Sequence, residues 1–448
     1  MLRRRTFVRD ASYFVHSLSF SQLPQDVIDK AKICLLDAIG AMLGSQSLRA
    51  VQIVQRYGTR YTGREMATII GVNEKTALQQ AAFVNGTAAA ALDIDDCQIL
   101  CSGHPGAVII PAALGSAEAI QASGKALIVA VVAGYEVATR FGVTQTSAPG
   151  ENLVYGSGRW GCVGAAASAA KLFNLDAQGI SHAIGIAATF GPMAPLLDQP
   201  TIKPLPMTKE SIGWGTMVGV TGAMLAREGF TGPQIEVEDP SGRIRRLDEE
   251  YAIRRVTFKP YPSCRWTHSA IDAVLELKKR YGREIVPENI DRIRVYLFKK
   301  ALHINHPSPP TVESAQYSVP FTIGAAISDG EVWLDQISDK RLNDPLILAI
   351  AGKVEMIHNP EFDHAFPARP AEVEIVTRLG KTFRRRIDFP KGDLENPMDQ
   401  RQMEEKFLRL ATRSIPQKAA LETMQAVKQI ERIENIAHFV EIIHSRQS

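Results

Sequence analysis

The chain has 448 residues, a length that suits two domains or one large domain with an insertion. Its 45% hydrophobic and 22% charged residues are typical of a soluble globular protein, and a net charge of +3 is too small to indicate a nucleic-acid partner. The basic start is followed by Asp10 and polar residues without the apolar core of a signal peptide, and no stretch reads as a membrane span. We therefore expect a cytoplasmic protein without a membrane partner. Its five scattered cysteines are expected to be reduced thiols.

The first 250 residues carry helical patterns. Apolar residues recur at helical spacing over residues 24–44, with Pro24 tolerated in the first turn and Gly44 able to end the helix. Further runs rich in Ala and Gly predict helices at 76–92, 107–122, 124–142, 160–173, 176–189 and 212–228. Small residues permit close helix approach, which favours a compact helical core. No strand, glycine loop and helix unit precedes these runs, which argues against a dinucleotide site.

The pattern changes after about residue 250. Residues 252–258 and 290–298 predict strands, and residues 272–278 predict a helix between them. Residues 371–379 and 381–389 flank Gly380 as a β-hairpin, and charged helix returns from 399 to 444. The sequence therefore predicts a mainly α fold. A large all-helical domain is built from both chain ends, 1–259 and 399–448, and a smaller α+β lid domain, 260–398, is inserted.

The stretch from 93 to 111 is the first candidate for a site. Asp93, Asp95 and Asp96 follow an Ala-rich helical run, and His104-Pro-Gly opens the next one. Helix ends leave backbone groups free to meet a ligand. A carboxylate and an imidazole close together can divide proton removal and proton delivery. The structural alternative is that an aspartate only caps the turn and His104 only bonds a carbonyl.

Several blocks, in order along the chain, resemble the MmgE/PrpD family. The stretch just described is similar to its "DFDD…HPS…P" segment. The other blocks are Gly134-Tyr-Glu-Val, Leu225-Ala-Arg-Glu-Gly-Phe-Thr-Gly-Pro233, Phe258-Lys-Pro-Tyr-Pro-Ser-Cys264 with Thr267-His268, Phe366-Pro-Ala-Arg-Pro370 and residues 388–397. The resemblance implies the architecture above, usually a homodimer, no metal and no organic cofactor. It also implies activity on small polycarboxylates, as in 2-methylcitrate dehydratase, cis-aconitate decarboxylase and iminodisuccinate epimerase.

The resemblance also implies roles for particular residues. Asp93 and His104 handle protons, and Lys259 with Lys209 holds substrate carboxylates. Lys203 is an alternative to Lys209, because the register of the family's lysine segment is uncertain here. Substrate contacts are expected from Cys97, Lys203, Ser263, Cys264 and Phe321.

Four positions depart from the family pattern. Tyr155 stands where the family has the histidine of a His-Pro pair, and a tyrosine with its usual pKa of about 10 is a different acid–base group. Cys97 and Cys264 replace a threonine and a histidine of the decarboxylase pattern. Phe321 falls where several members have a tyrosine that touches substrate. These changes bear directly on the identity of the substrate.

The preferred hypothesis is a cofactor-independent lyase that dehydrates a 2-methylcitrate-like hydroxy acid. Asp93 or His104 removes the proton beside a carboxylate, the other assists the leaving group, and Tyr155 serves as the second acid. An epimerase that uses His104 and Tyr155 on opposite faces of one carbon ranks second. A cis-aconitate decarboxylase ranks third, and a non-catalytic member that kept the fold is the remaining alternative.

Three other chemistries remain open from the residues alone. A divalent cation would need the aspartates and His104, but no second acid cluster follows on another helix. Zinc at Cys97 and Cys101 lacks a second cysteine pair. Cys264 with His268, four residues on, is a candidate nucleophile pair, although an unreactive thiol is more frequent.

Overall fold

The computed structural model describes residues 7–61, 63–72, 74–146, 154–193, 195–196, 205–234 and 250–444. Helices dominate the described residues, which confirms the predicted mainly α fold. The helices up to residue 227 are α1 (Phe7–Ser17), α2 (Gln25–Gly44), α3 (Arg49–Arg60), α4 (Leu78–Ala91), α5 (Pro105–Ala119), α6 (Gly124–Thr146), α7 (Ser157–Leu172), α8 (Ala177–Phe190) and α9 (Ile212–Arg227). Each predicted helical run matches one of them to within a few residues.

Glycines allow the central helices α6 and α7 to cross closely. A Cβ atom on Gly164 would lie 2.5 Å from the carbonyl oxygen of Gly134, and a Cβ atom on Gly134 would lie 2.6 Å from Ile109. The first contact is with backbone, so a larger residue at Gly164 would force α6 and α7 apart, whereas the second is with a methyl group on α5. The small residues of these runs therefore set the helix spacing, as the sequence pattern indicates.

Helix α6 corrects one expectation. Residues 124–144 are long and apolar enough, by length and composition, to cross a membrane, contrary to the prediction that no stretch is. In the structure 94% of its apolar window is buried inside the protein. This segment is a core helix around which α5 and α7 pack.

Short strands link the loops between these helices. They are β1 (Ala67–Ile69), which pairs with β2 (Glu74–Thr76), β3 (Cys97–Gln98), which pairs with β6 (Val256–Thr257), and β4 (Val154–Tyr155), which pairs with β5 (Pro195–Leu196). The prediction of a strand over 252–258 was wrong for its first half, because residues 252–255 form a 3-10 turn. Of the remaining three residues, Val256 and Thr257 pair with β3 and so bring Lys259 towards the acidic stretch.

An α+β unit follows. Its elements are α10 (His268–Tyr281), β7 (Ile290–Leu297), α11 (Val312–Gln316), α12 (Val319–Asp329), α13 (Pro345–Ala351), β8 (Val354–His358), β9 (Ala371–Thr377) and β10 (Thr382–Ile387). The sheet order is β10-β9-β7-β8, with only the β7–β8 pair parallel. The hairpin about Gly380 is confirmed, and its φ of 79° explains why glycine stands there. Strand β8 and helices α11 to α13 were not predicted.

Two large buried cores organise the described residues. One combines side chains from residues 7–258 with side chains from the last helices, α14 (Gln400–Ala411), α15 (Gln417–Lys428) and α16 (Ile436–Ile443). The other lies within residues 270–387. A buried ion pair between Lys406 of α14 and Asp37 of α2 ties the chain end to the first core. The domain limits at 259 and 399, and the lid role of the insertion, stay predictions.

Candidate active site

A cavity of about 540 Å³ opens between side chains of the two units. This volume is typical of a pocket for a small molecule. Asp93, Cys97, His104, Lys209 and Glu210 line it from the helical side. Its other walls include Cys264, Arg265, Phe298, Lys299, Lys300, His303, Tyr317 and Arg369. Residues distant in sequence therefore meet at one concave surface.

Asp93 anchors two ammonium groups. It follows α4 with φ of 55°, a left-handed conformation that turns the chain out of the helix. Lys209 Nζ lies 2.9 Å from its Oδ1 and Lys259 Nζ lies 3.2 Å from its Oδ2. Burial alone would raise the pKa of Asp93, but Lys209 and Lys259 outweigh it and hold the pKa well below the usual range. Asp93 is thus a fixed anion and a poor proton acceptor.

Lys209 is held by more than this ion pair. Its Nζ also donates to the carbonyl oxygen of Ala90 at 2.9 Å and to Oε1 of Gln316 at 3.0 Å. Tyr317 donates its hydroxyl to Asp93 Oδ1 at 3.1 Å. The carboxylate of Asp93 therefore joins three parts of the chain. They are the end of α4, the segment before α9, and the end of α11 with the turn that follows it.

His104 lies at the start of α5 and is 8% exposed, at the cavity wall. Its Nδ1 is 2.8 Å from the carbonyl oxygen of Asp96 and 3.6 Å from Asp95 Oδ2, while Nε2 is 3.6 Å from Glu210 Oε1. Burial and Lys259 lower the pKa of His104, but Asp95, Cys97 and Glu210 raise it further, so it lies well above the usual value. The imidazole is therefore charged at neutral pH.

A hydrogen-bonded relay fixes the position of His104. Its backbone N–H donates to Ser157 Oγ at 2.8 Å, and the Ser157 hydroxyl donates in turn to Glu210 Oε2. The N–H of Ser157 also donates to Glu210 Oε2 at 3.0 Å. Since a Cβ atom on Gly103 would lie 2.3 Å from Ser157 Oγ, glycine is required beside this contact. The other oxygen of Glu210 is left facing the imidazole.

Asp96 has a structural role: it caps the turn that opens α5, as the structural alternative expected for one of the aspartates. Its Oδ1 accepts the N–H of Gly106 in the first turn of α5 at 2.8 Å, and its Oδ2 accepts the Tyr135 hydroxyl at 2.6 Å. Burial raises the pKa of Asp96 to about 7. The Nδ1 atom of His104 likewise lies at hydrogen-bond distance from a backbone carbonyl, as the same alternative expected. Asp95 differs, because it lies between Lys259, at 3.7 Å, and His104.

The structure places the remaining predicted residues as follows. Cys97 and Cys264 line the cavity, and Cys97 Sγ lies 3.6 Å from His104 Nδ1. Burial, then Asp93, raises the pKa of the Cys264 thiol to about 12, so it is a weak nucleophile. Lys203 and the side chain of Tyr155 lie outside the described residues, and only the backbone of Tyr155, opposite Pro195, is described.

Two predicted substrate contacts are not at the cavity. Phe321 is fully buried in the core of the α+β unit, in the first turn of α12, because its apolar ring packs there rather than beside the charges. Ser263 is also fully buried, and its hydroxyl bonds that of Thr267 at 2.8 Å. Tyr317, four residues before Phe321, supplies the phenol at the site instead.

Sequence reasoning missed several groups at the site. They are Ser157, Glu210, Arg265, Gln316, Tyr317 and Arg369. Glu210 directly follows Lys209, so a carboxylate beside the candidate lysine was a usable signal. No local pattern marks Ser157 or Gln316, which act only through contacts with distant segments.

The alternative chemistries gain no support from these contacts. Within the described part of the chain, no cluster of three or more His, Cys, Asp and Glu side chains is arranged to hold a metal ion. His268 Nε2 lies 3.1 Å from the carbonyl oxygen of Ser263, and burial lowers the pKa of His268 well below its usual value. No hydrogen bond between its ring and Cys264 occurs among the described residues. Clustered charge at an open cavity also counts against a non-catalytic member.

Paired substitutions test whether Tyr317, and not Phe321, contributes to the site. We expect Tyr317→Phe to lower kcat/KM by about 10-fold, because it removes one charge-assisted hydrogen bond to Asp93. Phe321→Leu is expected to lower the melting temperature while kcat/KM stays within about twofold, since its ring only fills a core. Steady-state kinetics and thermal melts measure both. A larger kinetic loss for Phe321→Leu would return that residue to the substrate site.

A mainly helical fold with a buried cluster of charged side chains at an open cavity is what the resemblance to the MmgE/PrpD family leads us to expect. Sequence models of the family agree. The MmgE/PrpD N-terminal domain matches residues 9–254, and the MmgE/PrpD C-terminal domain matches residues 261–432. The chain belongs to the MmgE/PrpD family.

The similarity to known proteins extends over nearly the whole chain. Human cis-aconitate decarboxylase is 25% identical over 94% of this chain and 91% of its own length. The cis-aconitate decarboxylase-like protein oryM of Aspergillus oryzae is 24% identical over 96% of this chain and 95% of its own. Cis-aconitate decarboxylase of Aspergillus terreus is 23% identical over 96% and 94%. Together with the family, these similarities support a lyase-type activity.

Proposed function

We propose that the protein is a cofactor-independent lyase that decarboxylates a small tricarboxylate of the cis-aconitate type. The observation that carries the proposal is the position of His104 at the cavity wall, 3.6 Å from Asp95 Oδ2 and 3.6 Å from Glu210 Oε1, where both carboxylates favour its charged form. Loss of carbon dioxide leaves an electron pair on carbon, which needs a proton donor and nearby cations but no base. His104 supplies that donor, and Lys209 at the cavity wall supplies a cation.

In the proposed decarboxylation one carbon–carbon bond breaks and one carbon–hydrogen bond forms. The bond between a carboxylate carbon and its neighbour breaks, and its electron pair stays on the neighbouring carbon as carbon dioxide leaves. That carbon takes the proton of the His104 imidazolium, which becomes neutral and is protonated again from water. Asp93 takes no part in proton transfer, because its two ammonium partners keep it ionised.

The contact between Glu210 and His104 favours dehydration as the second candidate. Their atoms Oε1 and Nε2 are 3.6 Å apart, which provides a base and an acid side by side. In a 2-methylcitrate-like substrate, Glu210 would remove the proton beside a carboxylate and His104 would protonate the departing hydroxyl. The epimerase alternative has no comparable support, since it relies on the side chain of Tyr155.

Deuterated water separates these reactions. The purified protein is incubated with cis-aconitate and, separately, with 2-methylcitrate, and the products are followed by NMR and carbon dioxide release. Decarboxylation predicts carbon dioxide and one new carbon–deuterium bond, whereas dehydration predicts a new double bond without gas. Deuterium exchange without loss of either group would favour epimerisation. No change in either acid would overturn the proposed function for these substrates.

The pH dependence of the reaction follows from the charge of His104. Because the proton donor must be charged, kcat is expected to hold through neutral pH and fall only as pH rises through the raised pKa of His104. Asp95→Asn removes one of the groups that raise this pKa, so the alkaline fall should move to lower pH. The pH profile of kcat for both proteins measures the shift. An unmoved or higher alkaline limb in the variant would contradict this role of Asp95.

A homodimer in the cytoplasm remains part of the proposal and rests on the family resemblance. Light scattering of the purified protein is expected to give twice the mass of one chain. A monomer mass across the concentration range used for activity would contradict the dimer.

A further inference from the structure

The two sides of the cavity carry different charge. On the helical side the lining cations Lys209 and His104 are matched by the carboxylates of Asp93 and Glu210, and behind them Lys259 pairs with Asp93 and Asp95. The opposite side carries the four cations Arg265, Lys299, Lys300 and Arg369 against Asp363, and Asp393 pairs with Arg265 behind the wall. The excess positive charge therefore lies opposite His104, on the wall contributed by the α+β unit.

Arg369 is the most unusual of these cations. Among the residues that the structure describes, no carboxylate lies within ion-pair distance of its guanidinium, which donates only to the carbonyl oxygen of Ala368 at 3.2 Å. The group packs instead against the rings of Phe366 and Phe298, 4.7 Å and 5.7 Å from their centres. Burial, then the charge of Arg265, lowers the pKa of Arg369 to about 10, which still leaves it charged at neutral pH. A largely buried cation without a counter-ion is costly unless a ligand provides one.

Arg265 has an unused donor next to the same cavity. Its Nε donates to Asp393 Oδ1 at 2.8 Å and its Nη2 to Asp393 Oδ2. Its Nη1 is buried without a hydrogen-bond partner among the described residues. Asp393 thus pairs with Arg265 and lies outside ion-pair distance of Arg369. This wall therefore carries more positive charge than carboxylate charge, and an additional anion in the cavity would balance it.

We propose that Arg369 and Arg265 form a second carboxylate-binding subsite, which holds the central carboxylate of the substrate. Guanidinium groups suit this task because their planar fork matches a carboxylate. The subsite makes the protein selective for tricarboxylates over dicarboxylates, since a third carboxylate gains its own partners. The position of the reacting carbon rests on the proposed function, whereas carboxylate binding at the arginines does not.

Two unreactive ligands test the subsite without turnover. Tricarballylate has three carboxylates, and glutarate has the same carbon chain without the central one. Calorimetric titration of Arg369→Gln should show tricarballylate binding weakened by about 10- to 100-fold, the usual value of a charged hydrogen bond, and glutarate binding within about threefold of wild type. Arg369→Lys, which keeps the charge but not the fork, should fall between. Thermal melts of both variants establish that they are folded.

The matched control is Arg384→Gln, a guanidinium on the exposed strand β10 that pairs with Glu372. It should leave both affinities unchanged. The subsite is overturned if Arg369→Gln and Arg369→Lys both bind tricarballylate within twofold of wild type, or if both ligands weaken equally. Selective tricarballylate binding by a protein that converts neither cis-aconitate nor 2-methylcitrate would retain the subsite and reject the proposed function. Turnover by Arg369→Gln with an unchanged KM would retain the proposed function and reject the subsite.

Discussion

Replacement of His104 by glutamine is expected to lower kcat by about 10²- to 10⁴-fold, the usual contribution of a positioned general acid. Glutamine is uncharged and has no proton to give at neutral pH, yet its amide can still donate to the carbonyl oxygen of Asp96. The loss should therefore fall on kcat rather than on folding. Single-turnover kinetics with the substrate identified in deuterated water measures the chemical step directly.

The control for this variant is His438→Gln, an exposed histidine on α16 away from the cavity. It should keep wild-type kcat and melting temperature. Turnover by His104→Gln within about threefold of wild type would remove His104 from catalysis, because a proton donor worth so little does not meet the usual range.

The second large effect is expected at Asp93. Asp93→Asn leaves Lys209 and Lys259 buried with no full countercharge from this position, and breaking a buried pair in this way typically costs about 3–5 kcal/mol. We expect the free energy of unfolding to fall by about that amount. Activity should fall as well, because Lys209 loses the partner that fixes its ammonium group. Denaturant titration of wild type and variant measures the change.

Two further variants show whether the loss of stability is specific to the buried ion pair of Asp93. Glu405→Gln breaks the exposed pair between Arg401 and Glu405 on α14 and should cost less than about 1 kcal/mol. Asp93→Asn combined with Lys209→Met should be more stable than the sum of the two single losses predicts, by about 1–3 kcal/mol of coupling. Additive losses would show that the ion pair has no energetic weight.

Sequence patterns predicted the helical part of the fold well, because helix periodicity and small-residue runs are local signals. The helix α2 and the hairpin at Gly380 follow from residues that lie next to each other in the chain. Residues 252–255 were misassigned because β-branched and apolar residues also fit a short 3-10 turn. Strand β8 was missed because it is only five residues long, and its parallel pairing with β7 depends on distant chain.

The candidate site, like the fold, was predictable from the sequence only in part. Asp93, His104, Lys209 and Lys259 were found from the acidic stretch and from family resemblance, and the structure brings them together. Their chemical roles were not predictable, because the pKa of a carboxyl depends on what meets it after folding. Asp93 was a candidate base, and the two ammonium groups at its oxygens favour an anchoring role instead. Glu210 and Tyr317 reach the site only through contacts between distant segments.

The charge on His104 is the most direct test of the account. Nitrogen-15 NMR of the histidine rings, with the His104 signal assigned by its loss in His104→Gln, reports whether each ring nitrogen carries a proton. At about pH 7.5, one unit above the usual histidine pKa of about 6.5, the account predicts that both nitrogens of His104 are protonated. A neutral His104 ring at that pH would contradict the assignment of this residue as the proton donor.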